Sequence, residues 1–339
     1  MRPDSYVATA PGKVVLGGEY AVLHGAPAIA ASVNSRARVS AESIAGDYNE
    51  LCMPGFIDGV WRFTAKSDGT LVWLDSPPDA GAFALFESVL QSVGGMADAG
   101  IRLTLDTRAF IDNASGCKLG LGSSAALSVA LTAFLTRQRG PALLPAALAA
   151  HKAFQGGAGS GVDIACAVTG GTIAYLCDKA AVEMLDWPEG LQVALLWSGK
   201  PAGTTAKINQ LNAGLRNSAK RASLATLCAE ARALLACWRT GNAAELLVQF
   251  DVYSRALYDF DRDQALGIFS AGHADVYAAA RECGLVYKPC GAGGGDIGAV
   301  MSMDSTALKV FAERVRQHGY IALDTTLGEP GVQLDGLTH

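Results

Sequence analysis

The chain of 339 residues is poor in charge: Asp, Glu, Lys and Arg make up 17% of it, against 50% hydrophobic residues. Disordered segments have the reverse balance, because they cannot bury enough apolar surface to offset the entropy of ordering, so a disordered chain is excluded. Long apolar runs are also missing. The stretches 180–185 and 191–197 are soon broken by Glu, Asp, Lys or Pro, well short of the roughly 20 apolar residues of a spanning helix, and no membrane association is expected. A basic excess is lacking too, with 27 Lys and Arg against 32 Asp and Glu and a formal net charge of −5. Neutralising phosphates supplies most of the affinity of proteins that grip nucleic acid, so nucleic acid is not an expected partner. The eight cysteines form no CxxC pair and have no His at zinc spacing, which points to buried, reduced thiols. The N-terminus has no basic region leading into an apolar core. No signal peptide is expected, and a cytoplasmic setting follows.

Glycine is what the chain has in excess, with 39 residues gathered in clusters. Between the clusters, short β-like runs at 14–16, 28–33 and 37–39 predict strands joined by tight turns. Strand signals over 51–74 alternate with the turn pairs Asp58-Gly59 and Asp68-Gly69, as in an antiparallel meander. Helical spacing marks 83–93, 123–137 and 141–154, and strands are predicted at 101–105, 172–176 and 191–197. From there the character changes. Amphipathic helices are predicted at 206–217, 222–239, 243–258 and 264–283. A strand, glycine loop and strand follow over 285–301, then a helix at 305–318 and a strand at 320–323. This order predicts an α+β fold, and the length suits two domains, divided here as 1–190 and 191–339.

Three glycine clusters and one lysine-bearing strand could carry chemistry. Lys118-Leu119-Gly120-Leu121-Gly122-Ser123-Ser124-Ala125 precedes a helix, where small residues admit an anion to the backbone N–H groups and the helix end adds positive potential. Ser123 and Ser124 could donate to phosphate oxygens or ligate Mg²⁺. The alternative is a capped helix after a glycine turn. The lysine precedes the glycines, so this is not a Walker A loop. The run Gly156–Gly161 ends at Asp163, which could take a proton from a substrate hydroxyl or merely cap the next helix. The third cluster, Gly291-Ala292-Gly293-Gly294-Gly295-Asp296, lies between two strands, and close backbone approach to a ligand accounts for its glycines better than a hairpin turn. Lys13 stands alone in a largely apolar strand, where an ammonium seeks an anion or a carboxylate; the alternative is a lysine on a solvated strand edge.

In order and spacing, the segments PGKVVLGGEYAVLHG, LGLGSSAALSVAL and KPCGAGGGDIGAV resemble the GHMP kinase family, over roughly residues 8–301. The resemblance implies an N-terminal domain like domain 2 of ribosomal protein S5 and a ferredoxin-like C-terminal domain, with ATP and the acceptor in the cleft between them. It implies that Lys13 and Asp163 are catalytic. Lys118, Gly120, Leu121, Gly122, Ser123, Ser124 and Ala125 would hold ATP, with Ser123 or Ser124 on Mg²⁺. Ser160, Ser198, Thr205, Gly291, Ala292, Gly293, Gly294 and Asp296 would join Lys13 and Asp163 around the acceptor. Lys200, Lys207, Lys118 and Lys152 are the candidate cations for an anionic acceptor.

Within the family, the stretch from His151 to Ala165, the Trp197-Ser198-Gly199 segment and Asp296 are most similar to the phosphomevalonate kinase branch. Lys152 stands where mevalonate kinases carry a metal-binding Glu. Gly18-Glu19-Tyr20-Ala21-Val22, in contrast, is close to the mevalonate kinase pattern. The expected activity is ATP-dependent phosphorylation of 5-phosphomevalonate to mevalonate 5-diphosphate. A kinase of mevalonate, homoserine or a sugar, a nonenzymatic binding protein and a homodimer stay open.

Overall fold

Two long strands begin the fold, β1 (Val7–Gly17) and β2 (Ala28–Ser43), in a computed structural model that describes residues 7–336 apart from 67, 68, 80, 97, 98 and 158, with the backbone alone at 204 and 205. The short runs expected here are fused. Pro11 lies at a register shift between Pro11 and Gly12, which irregularises β1 without ending it. The meander follows as β3 (Asn49–Met53), β4 (Ile57–Ala65) and β5 (Leu71–Trp73), then α1 (Ala84–Val93) and β6 (Ile101–Asp106). Next come α2 (Ser123–Thr136), α3 (Leu144–Phe154), α4 (Val162–Thr169), β7 (Thr172–Leu176) and β8 (Ala181–Leu185).

These strands form one sheet in the order β1-β2-β6-β3-β4-β5, in which β3 and β6 run parallel. The first residues of β2 pair with β7, which pairs in turn with β8. Helix α2 is Ala- and Leu-rich on every face. A helix apolar all round is a core helix, and residues 125–134 are all buried against β1, β2 and the neighbouring helices.

The second layer starts with β9 (Gln192–Trp197) and α5 (Thr204–Gly214), α6 (Ser218–Trp238), α7 (Ala243–Gln264) and α8 (His273–Glu282). It continues through β10 (Val286–Pro289), β11 (Ile297–Ser302), α9 (Ser305–Arg314) and β12 (Ile321–Ala322). The strand order β10-β11-β9-β12, wholly antiparallel, is the ferredoxin-like arrangement, so the expected α+β architecture is present. The helix expected over 264–283 begins only at His273. Ala265 ends α7 with a left-handed φ of 57°, and a loop intervenes.

The chain then crosses back. A last strand, β13 (Gln333–Asp335), pairs with β1, and bridges join Leu327 to Val33 and Pro330 to Gly170. The second sheet ends at β12, and β13 joins the first sheet. All eight cysteines are free, but only Cys166, Cys228 and Cys290 are buried, while Cys52, Cys177 and Cys237 are half-buried and Cys117 and Cys283 exposed, which corrects the expectation that all are buried. Among the described residues no helix is long and apolar enough to cross a membrane.

Candidate active site

The first glycine loop is wedged between β1 and the third loop. A Cβ at Gly12 would stand 2.5 Å from the Leu121 carbonyl oxygen, so glycine is what lets β1 touch the loop, and the Lys13 N–H donates to that same oxygen at 2.9 Å. Gly120 and Gly122 adopt left-handed φ values of 77° and 81°. A Cβ at Gly120 would overlap the Asp296 side chain, and one at Gly122 would lie 3.1 Å from Lys13 Cε. Helix α2 starts at Ser123 with Gly122 as its N-cap, so no side chain caps the first-turn N–H groups. The capped-helix alternative fails. What remains is an uncapped, positive helix end beside a lysine, which suits an anion. Ser124 Oγ lies 3.5 Å from His151 Nε2. Leu121 and Ala125 are buried beneath the loop, whereas the Lys118 ammonium leaves it and sits 4.8 Å above the Phe56 ring.

Lys13 reaches across to Asp163, with Nζ 3.4 Å from Oδ2; their side chains are 11% and 35% exposed. Asp163 is in the first turn of α4, whose N-cap, Gly161, also makes no side-chain cap bond. The carboxylate thus meets the lysine and does not cap its helix. Burial opposes the charge on Lys13, but the attraction and hydrogen bond of Asp163, with help from Asp296, outweigh it and raise the lysine pKa. Burial lowers the pKa of His151, and Lys13 pushes the same way against Asp163, so the charged form of the imidazole beside Ser124 is disfavoured.

A cavity opens on this pair, lined by Lys13, Tyr20, His151, Ser160, Asp163 and Ala292 among others. Its far wall is Gly18-Glu19-Tyr20, gripped from the second layer. Glu19 is fully buried and accepts from Lys288 Nζ at 2.5 Å and from the Tyr253 hydroxyl at 2.8 Å. The same hydroxyl accepts from the Gly18 N–H at 2.8 Å, and Lys288 also donates to the Val15 carbonyl at 3.1 Å. Burial opposes the Lys288 charge, but the Cys290 thiol and Glu19 outweigh it and its pKa is raised. The Tyr20 hydroxyl donates to the Ala292 carbonyl at 2.6 Å. Glu19, Lys288 and His151 stand within the sequence motifs but carry no role there, and nothing in the sequence marks Tyr253.

The third loop is occupied by the protein itself. Lys207 Nζ donates to the carbonyls of Gly293 at 2.8 Å, Gly267 at 3.0 Å and Ala292 at 3.3 Å. The N–H of Gly294 donates to Ile268, and that of Asp296 to Lys200. Of the residues expected around the acceptor, Gly291 and Ala292 line the cavity, while Gly293, Gly294 and Asp296 do not. Asp296 has a left-handed φ of 54°, lies against Gly120, and accepts from the Ala202 N–H at 3.3 Å. Burial raises its pKa, against that backbone hydrogen bond, Lys13 and Lys207. Ser198 is buried in a turn, bonded to Lys200, away from the cavity. The Thr205 side chain lies outside the described residues. Lys152 lines a second cavity that shares His151, Gln155 and Ser160 with the first.

No protein-family model matches the chain. Among curated proteins, a phosphomevalonate kinase of Streptomyces sp. (strain CL190) is 30% identical over 86% of this chain and 88% of its own length. Human mevalonate kinase is 25% identical over 100% of this chain and 97% of its own. Among solved structures, Streptococcus pneumoniae phosphomevalonate kinase in complex with phosphomevalonate and AMPPNP superposes with a TM-score of 0.74 at 19% identity, over 95% of this chain and 99% of that one, and so shares the fold. Homology at this coverage, on a structure that brings the first glycine loop, Lys13 and Asp163 together, places the chain in the GHMP kinase family, as a kinase of the mevalonate-pathway type.

Proposed function

We propose that the chain transfers the γ-phosphoryl group of ATP to 5-phosphomevalonate, giving mevalonate 5-diphosphate. The Lys13–Asp163 pair carries the reading, because it stands where the nucleotide loop and the acceptor cavity meet. Phosphoryl transfer depends on positioning and charge neutralisation more than on covalent help. The first turn of α2 and the loop from Gly120 to Ser124 hold the β- and γ-phosphates. Mg²⁺ fits this donor set. Among the described residues no group of three His, Cys, Asp or Glu could hold a metal, but Mg²⁺ takes most of its ligands from phosphate and water. Ser123 or Ser124 would supply the protein's hydroxyl, and the ion would offset phosphate charge.

With phosphomevalonate the attacking atom is a phosphate oxygen. Its second ionisation lies near pH 6, so at pH 7 or above there is little proton to remove. Asp163 then serves chiefly to aim Lys13 between two phosphate groups that repel each other, and Lys13 balances the charge of the transition state. Ser160 and the Tyr20–Ala292 wall shape the acceptor's remainder. The division into a nucleotide domain over 1–190 and a second domain over 191–339, and a cytoplasmic setting, belong to the same proposal.

A second reading, mevalonate as acceptor, is favoured by the scarcity of cations: Lys13 is the one lysine or arginine among the described residues lining the cavity. Steady-state kinetics with both acceptors separate the two. A site built around a phosphate rejects the analogue lacking it, so kcat/KM for phosphomevalonate is expected to exceed that for mevalonate by about a hundredfold or more. Equal values, or turnover only of homoserine or a sugar, would overturn the phosphomevalonate assignment.

A further inference from the structure

Behind the wall of the acceptor cavity lies a carboxylate whose charge should repel the acceptor. Glu19 lines the cavity, its side chain has no exposure, and every acceptor of the proposed type is an anion. Unscreened by water, a charge in this position acts over a longer range than one on the surface. Two groups from the second layer meet it. Lys288, also with no exposure, pairs with one carboxylate oxygen, and Tyr253 donates to the other. Among the described residues Lys288 has no second carboxylate partner; its other hydrogen bonds go to the Val15 carbonyl and the Cys290 sulfur.

We propose that Lys288 is a positioning residue whose ammonium cancels the Glu19 charge behind the acceptor wall and so sets the affinity for an anionic acceptor. The pair spans the two layers, from the turn after β1 to β10. Burial of an ion pair is poor evidence for stabilisation, since replacing both partners by neutral groups of similar volume is often harmless, whereas removing one partner leaves an uncompensated charge. The pair's use therefore lies in the field it leaves in the cavity. This inference rests on the acceptor being anionic, as in the function proposed above.

The sign of the effect separates this role from a structural one. Lys288→Met leaves a net negative wall, and the KM for phosphomevalonate is expected to rise by about tenfold. Glu19→Gln leaves a net positive wall, and that KM is expected to fall below the wild-type value. The double variant Glu19→Gln/Lys288→Met restores a neutral wall, so its KM should return to within about threefold of wild type. Calorimetric MgATP affinity should stay within about twofold throughout, because the nucleotide loop faces Lys13 and not Glu19. If both single variants raise the acceptor KM, or if MgATP binding falls equally, the pair is merely structural and the proposal is wrong. Should Lys288→Met fail to fold, Glu19→Gln and the double variant decide the matter by the same signs. Wild-type turnover of phosphomevalonate, measured first, tests the function itself. Failure there leaves the sign test to be read with whichever anionic acceptor is turned over, and a neutral acceptor would overturn both.

Discussion

The first and third glycine loops look alike in sequence and do opposite work. Around Gly120–Ser124 the glycines bring β1 and Asp296 against the loop, yet the helix end that follows has no side-chain cap. Around Gly291–Gly295 the glycines equally admit close approach, but what approaches is the protein: Lys207 takes three carbonyls, Tyr20 one of the same, and Ile268 and Lys200 accept the N–H groups of Gly294 and Asp296. One loop is left open to an anion and the other is a joint between layers. Glycine density reports that something comes close to the backbone. Only the hydrogen-bond accounting tells which thing it is.

The sharpest way to test the open side of this comparison is Lys13→Met, which removes the cation shared by the nucleotide loop and Asp163. Its charge is used most in the transition state, so kcat is expected to fall by about 10³-fold, with a much smaller change in KM for ATP. A loss of melting temperature with kcat intact would make Lys13 structural. Asp163→Asn should cost somewhat less, about 10²-fold in kcat with phosphomevalonate, since aiming Lys13 is its main task there. With mevalonate, whose hydroxyl must lose a proton, the same variant should cost more; steady-state rates with both acceptors check this.

On the closed side, Lys207→Met removes the Lys207 donor from the Gly293 carbonyl, while Ala292 keeps Tyr20 and Gly267 keeps Ser270. It is expected to lower the melting temperature by several degrees and raise the acceptor KM by about tenfold, with MgATP affinity unchanged by calorimetry. The smallest effect should come from Asp296→Asn, which keeps the left-handed backbone that Asn tolerates. Burial raises the Asp296 pKa above its unfolded value, so its ionisation disfavours folding, and the cost appears as pH rises through the folded pKa. The variant should therefore melt slightly above wild type at pH 8. The gain should vanish at acid pH, where both side chains are neutral, as melting scans across pH would show.

The helices and most strands were legible because apolar periodicity acts locally, as at α1 and α2. The expected turn pair Asp58-Gly59, in contrast, lies inside β4; the turn falls at 54–56, and Asp68 lies outside the described residues. Misreadings arose where tertiary contacts overrode local signals. Pro11 and Gly12 look like strand breakers, yet β1 runs through them because the loop oxygen of Leu121 needs the space. Strand β13 has three residues, too few for any period, and exists only because β1 offers an edge. In the site, Lys13 and Asp163 were legible from their motifs. The Glu19–Tyr253–Lys288 cluster was not, since Glu19 lies more than 230 residues from both partners along the chain and meets them only after both layers pack. Lys207, a candidate acceptor cation from the sequence, donates to three carbonyls at the joint.

The contrast between the loops is tested most directly by titrating MgATP into folded Gly122→Val in a calorimeter, with Lys207→Met as the companion. A branched side chain at a left-handed position 3.1 Å from Lys13 Cε fills the space a phosphate needs. The account predicts that Gly122→Val loses about a hundredfold or more in MgATP affinity, while Lys207→Met binds as wild type does. Unchanged MgATP binding by a folded Gly122→Val protein would contradict it and move the nucleotide to another part of the cleft.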